Sequence, residues 1–190
     1  MEMSQEKNEE KQGKEKSFLK ELWEYVRLIL IMLIVMFVTM KYIVINAQIP
    51  SESMESTIMK GDRIFGNRLA YLLDDPERFD IIIFKFPDDE SQLFIKRIIG
   101  LPGEKVEIKA GKVYINDAKT PLDDSFCRET PAFKDFGPYQ VPEDSYFVLG
   151  DNRNMSKDSR YWINTFVKKD KIVGKAGLRY FPLNKIGIVD

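Results

Sequence analysis

Histidine is absent from all 190 residues, and cysteine occurs once, at Cys127. The first absence excludes a Ser-His-Asp triad and the usual histidine-containing zinc sites. The second excludes an intrachain disulfide, so a folded domain must draw its stability from its core. Cys127 has no histidine to activate it and reads as a loop residue rather than a thiol nucleophile. A dominant charge is lacking too, since 29 Lys and Arg face 30 Asp and Glu. No wide basic field is left for nucleic acid. No glycine-rich phosphate loop occurs, and with it goes the common cradle for a nucleotide.

What the chain does have is one long apolar run, Leu28 to Ile45, interrupted only by Thr39, Lys41 and Tyr42. As a helix it would measure roughly 27 Å, close to a hydrocarbon core. Arg27, Lys41 and Tyr42 stand near its ends, where they anchor at an interface. A cleaved signal peptide fits the apolar stretch to Met40, but the run continues past Lys41 and no A-x-A site follows near Ile45 to Ala47. A buried core helix would need other helices to cover it, and the pattern supplies none. Residues 1–27 are rich in Lys and Glu and read as a solvated tail that becomes helical near Glu21. Six Lys or Arg precede Leu28 and none occurs from Tyr42 to Met59, which places the N-terminus in the cytoplasm. The expected organisation is a cytoplasmic tail over 1–27, a transmembrane anchor over 28–45 and an extracytoplasmic domain over 46–190.

Beyond the anchor the pattern becomes short and alternating. Asp80 to Phe86 and Leu93 to Ile99 read as strands flanking the turn residues Pro87, Asp88 and Asp89, a hairpin. Val106 to Ile108 and Val113 to Ile115 are two more strands around Ala110 and Gly111. Ser145 to Gly150 and Leu178 to Leu183 follow, and Asn116 to Glu143 reads as a loop-heavy excursion. The fold class is mainly β: an antiparallel, barrel-like domain with a loop-rich subregion at about 105–145.

The stretch Ile49 to Thr57, IPSESMEST, concentrates serines, and a serine hydroxyl attacks only when a base removes its proton. Without histidine, a lysine kept neutral by an apolar site is a chemically sound base. Period-two alternation puts Lys96 on one face with Phe94 and Ile98, while Lys85 lies between Phe84 and Phe86. Pattern alone does not separate the two lysines, and an outward-facing strand lysine is the commoner occupant of such a position.

Three stretches together resemble bacterial type I signal peptidase, the membrane-anchored serine/lysine protease that removes signal peptides. They are QIPSESM at Gln48 to Met54 with KGDRIFGNRLAY at Lys60 to Tyr71, IKRIIGLPGE at Ile95 to Glu104, and GDNRNMSKDSRYW at Gly150 to Trp162. Their order and their place behind an anchor match as well. The resemblance implies Ser53 as nucleophile and Lys96 as general base. It implies Ser51 and the backbone N–H of Ser53 as the oxyanion hole, and Ser156 as the serine that hydrogen-bonds and orients the lysine. Asp158 and Arg160 take the place of a structural ion pair, and Ile49, Pro50 and Ile95 match walls of the substrate pocket. No metal or other cofactor is implied.

The implied substrates are signal peptides of translocated preproteins. Membrane lipid is an implied partner, the secretion translocon a further candidate, and nucleic acid is not one. Ser56 stands where many members carry proline, which loosens the expected turn after the nucleophile. A calcium loop counted from Asp151 would put Arg153 at its third place and Ser156 at its sixth, where an oxygen ligand and glycine are needed. Two alternatives differ in class: a catalytically inactive membrane-tethered β-domain binding secretion or envelope proteins, and a self-cleaving serine/lysine repressor. The first has no need of the Ser53, Lys96 and Ser156 set, and the second predicts a DNA-binding module where the apolar run stands.

Overall fold

The computed structural model of the protein describes residues 2–127 and 131–189, with residues 2–19 given by their backbone alone. The chain divides into two compact units between Ile43 and Val44.

The first unit is a helix, α1 (Glu2–Val38), whose last turn passes into a π-helical segment at Thr39–Ile43. It starts well ahead of Glu21, where the sequence placed the onset of helix. Lys, Glu and Gln are strong helix formers and need no buried face to adopt the conformation. Lys20–Ile43 is long and apolar enough to cross a membrane, with a mean hydropathy of 2.2 and none of its most apolar window buried. The run counted to Ile45 therefore ends two residues earlier. Val44 opens a strand, and Ile45 belongs to the core of the second unit.

The second unit is antiparallel β. Its strands are β1 (Val44–Gln48), β2 (Arg63–Asn67), β3 (Ile81–Phe86), β4 (Asp89–Gly100), β5 (Lys105–Lys109), β6 (Lys112–Ile115), β7 (Phe136–Gln140), β8 (Ser145–Leu149), β9 (Val167–Lys168), β10 (Ile172–Phe181) and β11 (Gly187–Ile188). The larger sheet runs β1-β2-β10-β3-β4-β8-β9, with β11 on β10; the smaller is β6-β5-β7. The larger sheet does not close, so the expected barrel is an open sheet. The strand at one end of its path, β9, is two residues long and offers β1 no ladder.

The β3–β4 hairpin forms as its alternation predicts, with Ile82 opposite Lys96 and Phe84 opposite Phe94. The loop-rich subregion holds one strand more than expected. β7 carries Pro138 and pairs with β5 alone, an edge position where the missing N–H is tolerated. Three apolar clusters fill the domain: Ile45, Ile49, Met54, Ile58 and Ile64 in the first, Ile82, Phe84, Ile98 and Trp162 in the second, and Ile99, Val106, Val113 and Phe147 in the third.

Candidate active site

Three chain segments converge because of how the strands are ordered. β1 delivers the turn Ile49–Thr57, whose excursion is closed by Ile49 N–H donating to Asp62 O at 3.0 Å and Gly61 N–H to Ile49 O at 2.8 Å. β4 carries Lys96, and its neighbour β8 runs straight into the loop that starts at Gly150. Arg97 is opposite Leu149 in that pairing, so the loop begins beside Lys96.

Lys96 is only 3% exposed and Ser53 only 6%. A hydrogen bond of 2.6 Å joins Lys96 Nζ to Ser53 Oγ, and Nζ donates a second to Ile95 O at 3.0 Å. The ring of Phe94 lies 5.6 Å from the nitrogen. Burial disfavours the ammonium and pulls the Lys96 pKa down from 10.5 to about 8, against the opposing pull of the Asp158 and Asp151 carboxylates. The other sequence candidate, Lys85, is exposed on β3. Ser51 is exposed, with Oγ 3.3 Å from Ser53 Oγ.

The loop from Gly150 to Arg160 is pressed onto this pair. Asn152 N–H donates to Ser53 O at 3.1 Å. A Cβ at residue 150 would stand 2.3 Å from both Ser156 Oγ and Ser53 O, so only glycine lets the loop come this close. Asp158 is fully buried. It accepts two hydrogen bonds from the Arg160 guanidinium, at 2.8 and 2.9 Å, one from Arg160 N–H at 3.3 Å and one from Gly150 N–H at 3.0 Å. Arg160 in turn donates to Arg153 O at 2.8 Å, closing the loop on itself.

Three expectations need correction here. Ser156 is beside the pair, but among the described residues its buried Oγ has no hydrogen-bond partner, because Lys96 Nζ is directed to Ser53 Oγ and Ile95 O instead. Ile49 is 3% exposed and packs in the core with Ile45 and Met54, so it is no open pocket wall. Pro50 is exposed and Ile95 partly so, leaving both available to a ligand. The turn after Ser53 is also not loose. Ile58 N–H donates to Met54 O at 2.8 Å, and Ser56 Oγ to Phe126 O at 2.7 Å. Ser56 has φ 92°, a value closed to proline, so this turn is built differently from one with proline at that place.

The sequence reading missed a buried network behind the pair. Arg97 grips Asp151 with two hydrogen bonds of 2.9 and 2.8 Å, their side chains 4% and 0% exposed. Thr57 Oγ1 donates to Asp151 at 2.6 Å, Arg97 also donates to Phe79 O at 2.9 Å, and the Phe126 ring lies 4.3 Å from the guanidinium. The serine turn, the lysine strand and the Gly150 loop are thereby tied at one point. A signal was present: alternation puts Arg97 between Ile95 and Ile99 on the face opposite Lys96, and a charge so placed needs a buried partner.

Residues 22–181 match the profile of the family described as signal peptidase, peptidase S26. The chain belongs to the signal peptidase family. Among its relatives, a probable signal peptidase I-2 of Synechocystis is 43% identical over 146 residues, which are 74% of this chain and 65% of that protein. Signal peptidase I P of Bacillus subtilis subsp. natto is 34% identical over 180 residues, 91% of this chain and 96% of the relative. A solved signal peptidase I from Enterococcus faecalis is 39% identical with a TM-score of 0.44, covering 54% of this chain and 97% of that one. The family match and the Synechocystis and Bacillus relatives support signal-peptide cleavage as the activity, and they lend nothing to the inactive β-domain reading.

Proposed function

We propose that the protein is a serine endopeptidase in which Ser53 and Lys96 form the reacting dyad. The observation that carries this is the 2.6 Å contact between a hydroxyl and a buried amine in a chain without histidine. Neutral Lys96 takes the Ser53 proton as Oγ attacks the scissile carbonyl, and the new ammonium gives that proton to the departing amine. Water, deprotonated by the same amine, then releases the acyl group from Oγ. The charge that develops on the carbonyl oxygen rests on the Ser51 hydroxyl and the backbone N–H of Ser53, donors of a kind worth about 3 to 4 kcal/mol each. The Asp158–Arg160 pair holds in place the loop that carries Ser156.

The substrate is the signal peptide of a translocated preprotein. β1 lies at one end of the sheet path, and an extended peptide laid along such an edge shows alternate side chains to one wall. Pro50 and Ile95 belong to that wall. The helix Lys20–Ile43 anchors the protein in the cell membrane by a single pass, with the N-terminus cytoplasmic and the catalytic domain outside. Substrate is met at the membrane face, with the translocon as the neighbour that delivers it.

Cleavage of a preprotein by the purified full chain, with Ser53→Ala and Lys96→Ala beside it, tests the assignment. Both substitutions should abolish processing, and retained activity in either removes that residue from its role.

A further inference from the structure

The excursion that carries Ser53 is tied from two sides, and only one of them belongs to the network around Asp151. Its neck closes at Asp62, a buried residue whose backbone O accepts Ile49 N–H at 3.0 Å and whose carboxylate accepts Met59 N–H at 2.9 Å. From β10, Arg179 reaches across to this neck. Its Nη1 donates to Asp62 Oδ2 and to Thr57 O, both at 3.1 Å, and its Nε donates to Lys185 O at 2.7 Å. Thr57 is therefore held by two guanidiniums, that of Arg97 donating to its hydroxyl at 3.3 Å and that of Arg179 to its carbonyl.

From Thr57 the path to the nucleophile is short. Thr57 N–H and Ile58 N–H both donate to Met54 O, at 3.2 and 2.8 Å, and Met54 follows Ser53 in the chain. Met54 and Ile58 are fully buried in the apolar cluster that also contains Val189. Val189 N–H donates to Gly177 O at 2.8 Å, so the segment after β10 folds back beside that strand. Lys185, in the turn Leu183–Lys185, and Val189 lie beyond residue 181, where the match to the family profile ends. Arginine suits the junction because its rigid planar fork serves several acceptors at once, whereas a lysine ammonium is a point charge on a flexible stem.

We propose that Arg179 is a positioning residue for the nucleophile: braced on Lys185 O, it fixes Thr57 O and Asp62, and through them the place of Ser53 Oγ beside Lys96 Nζ. It touches neither reacting group. The proposal rests on reading Ser53 and Lys96 as the dyad. It gives the segment after β10 a part in the reaction, as the support from which Arg179 works.

The test compares full-length wild type with Arg179→Met, Arg179→Lys and Ser53→Ala in preprotein cleavage, with kcat counted per folded molecule by near-ultraviolet circular dichroism. Arg179→Met should lower kcat by about 10- to 100-fold, the scale of a displacement of about 1 Å at the reacting atoms, and should move KM by less than about twofold. Arg179→Lys keeps the charge and should recover part of the loss. The rise of kcat with pH should keep its wild-type midpoint, since the carboxylates that act on Lys96 are Asp158 and Asp151 rather than Asp62. In both variants the Thr57 and Ile58 amides should exchange with solvent faster than in wild type, and the amides of β3 should not. A kcat per folded molecule equal to that of wild type, beside an inactive Ser53→Ala, overturns the proposal and leaves the dyad standing. A shifted pH midpoint also overturns it, because the effect of Arg179 would then be electrostatic. A Ser53→Ala chain that still cleaves removes the dyad, and the proposal with it. Should Arg179→Met fail to fold, Arg179→Lys carries the comparison, and wild-type kcat with unchanged exchange at Thr57 and Ile58 overturns the proposal.

Discussion

Lys85 and Lys96 occupy the two strands of one hairpin, each set between large apolar residues in sequence, and they have opposite fates. Lys85 lies beside the turn that closes the hairpin and keeps its side chain in solvent. Lys96 lies deep in the sheet, where the Ile49–Thr57 turn and the Gly150 loop are brought over the same strand, and it is 3% exposed. The apolar neighbours are alike in the two cases. What differs is the cover brought in by distant segments, and it is this cover that buries one strand lysine and pulls its pKa down.

That comparison can be broken most forcefully by truncation. Lys96→Ala should lower preprotein cleavage by about 10³-fold or more, in line with loss of a positioned proton acceptor, whereas Lys85→Ala should leave it within about twofold, both read as kcat/KM. The cover can be tested next. Asp151→Asn removes the buried carboxylate that Arg97 and Thr57 share and should cost about 3 to 5 kcal/mol in urea unfolding. Glu90→Gln, which breaks the more exposed pair with Lys171, should leave the urea midpoint almost unchanged.

Lys96 itself should carry a penalty that depends on pH. Its pKa in the folded protein lies below the unfolded value, so between about 8 and 10.5 the unfolded chain holds a proton that the folded one has lost. Stability of the wild type therefore rises with pH across that window. Below it the buried ammonium costs about 3 kcal/mol, by the usual conversion of a pKa difference. Lys96→Met should accordingly be more stable than wild type at pH 7 and should lose that advantage by pH 10.5, as measured by unfolding at the two pH values.

The hairpin was legible because its information is local: alternation and a Pro-Asp-Asp turn define both strands and the face of Lys96. The choice between Lys96 and Lys85 was not local, and only the motif resemblance separated them before the fold did. β1 was hidden by hydropathy, since Val44 and Ile45 extend the apolar run without a break and only strand pairing reveals where the helix stops. β7 was hidden by Gly137 and Pro138, which read as loop and are tolerated because the strand pairs on one side alone. The Arg97–Asp151–Thr57 network was hidden by distance. Its members stand 54 and 94 residues from one another's partners along the chain, a separation that no periodicity reports.

The central claim is that the Lys96 amine is neutral at a pH where an ordinary lysine is charged. It is tested most directly by titrating the carbon-13 signal of the Lys96 ε-methylene in the full-length protein, assigned by its disappearance in Lys96→Arg. A midpoint near 8 is the expected result, and a midpoint at the ordinary lysine value of about 10.5 would contradict the account.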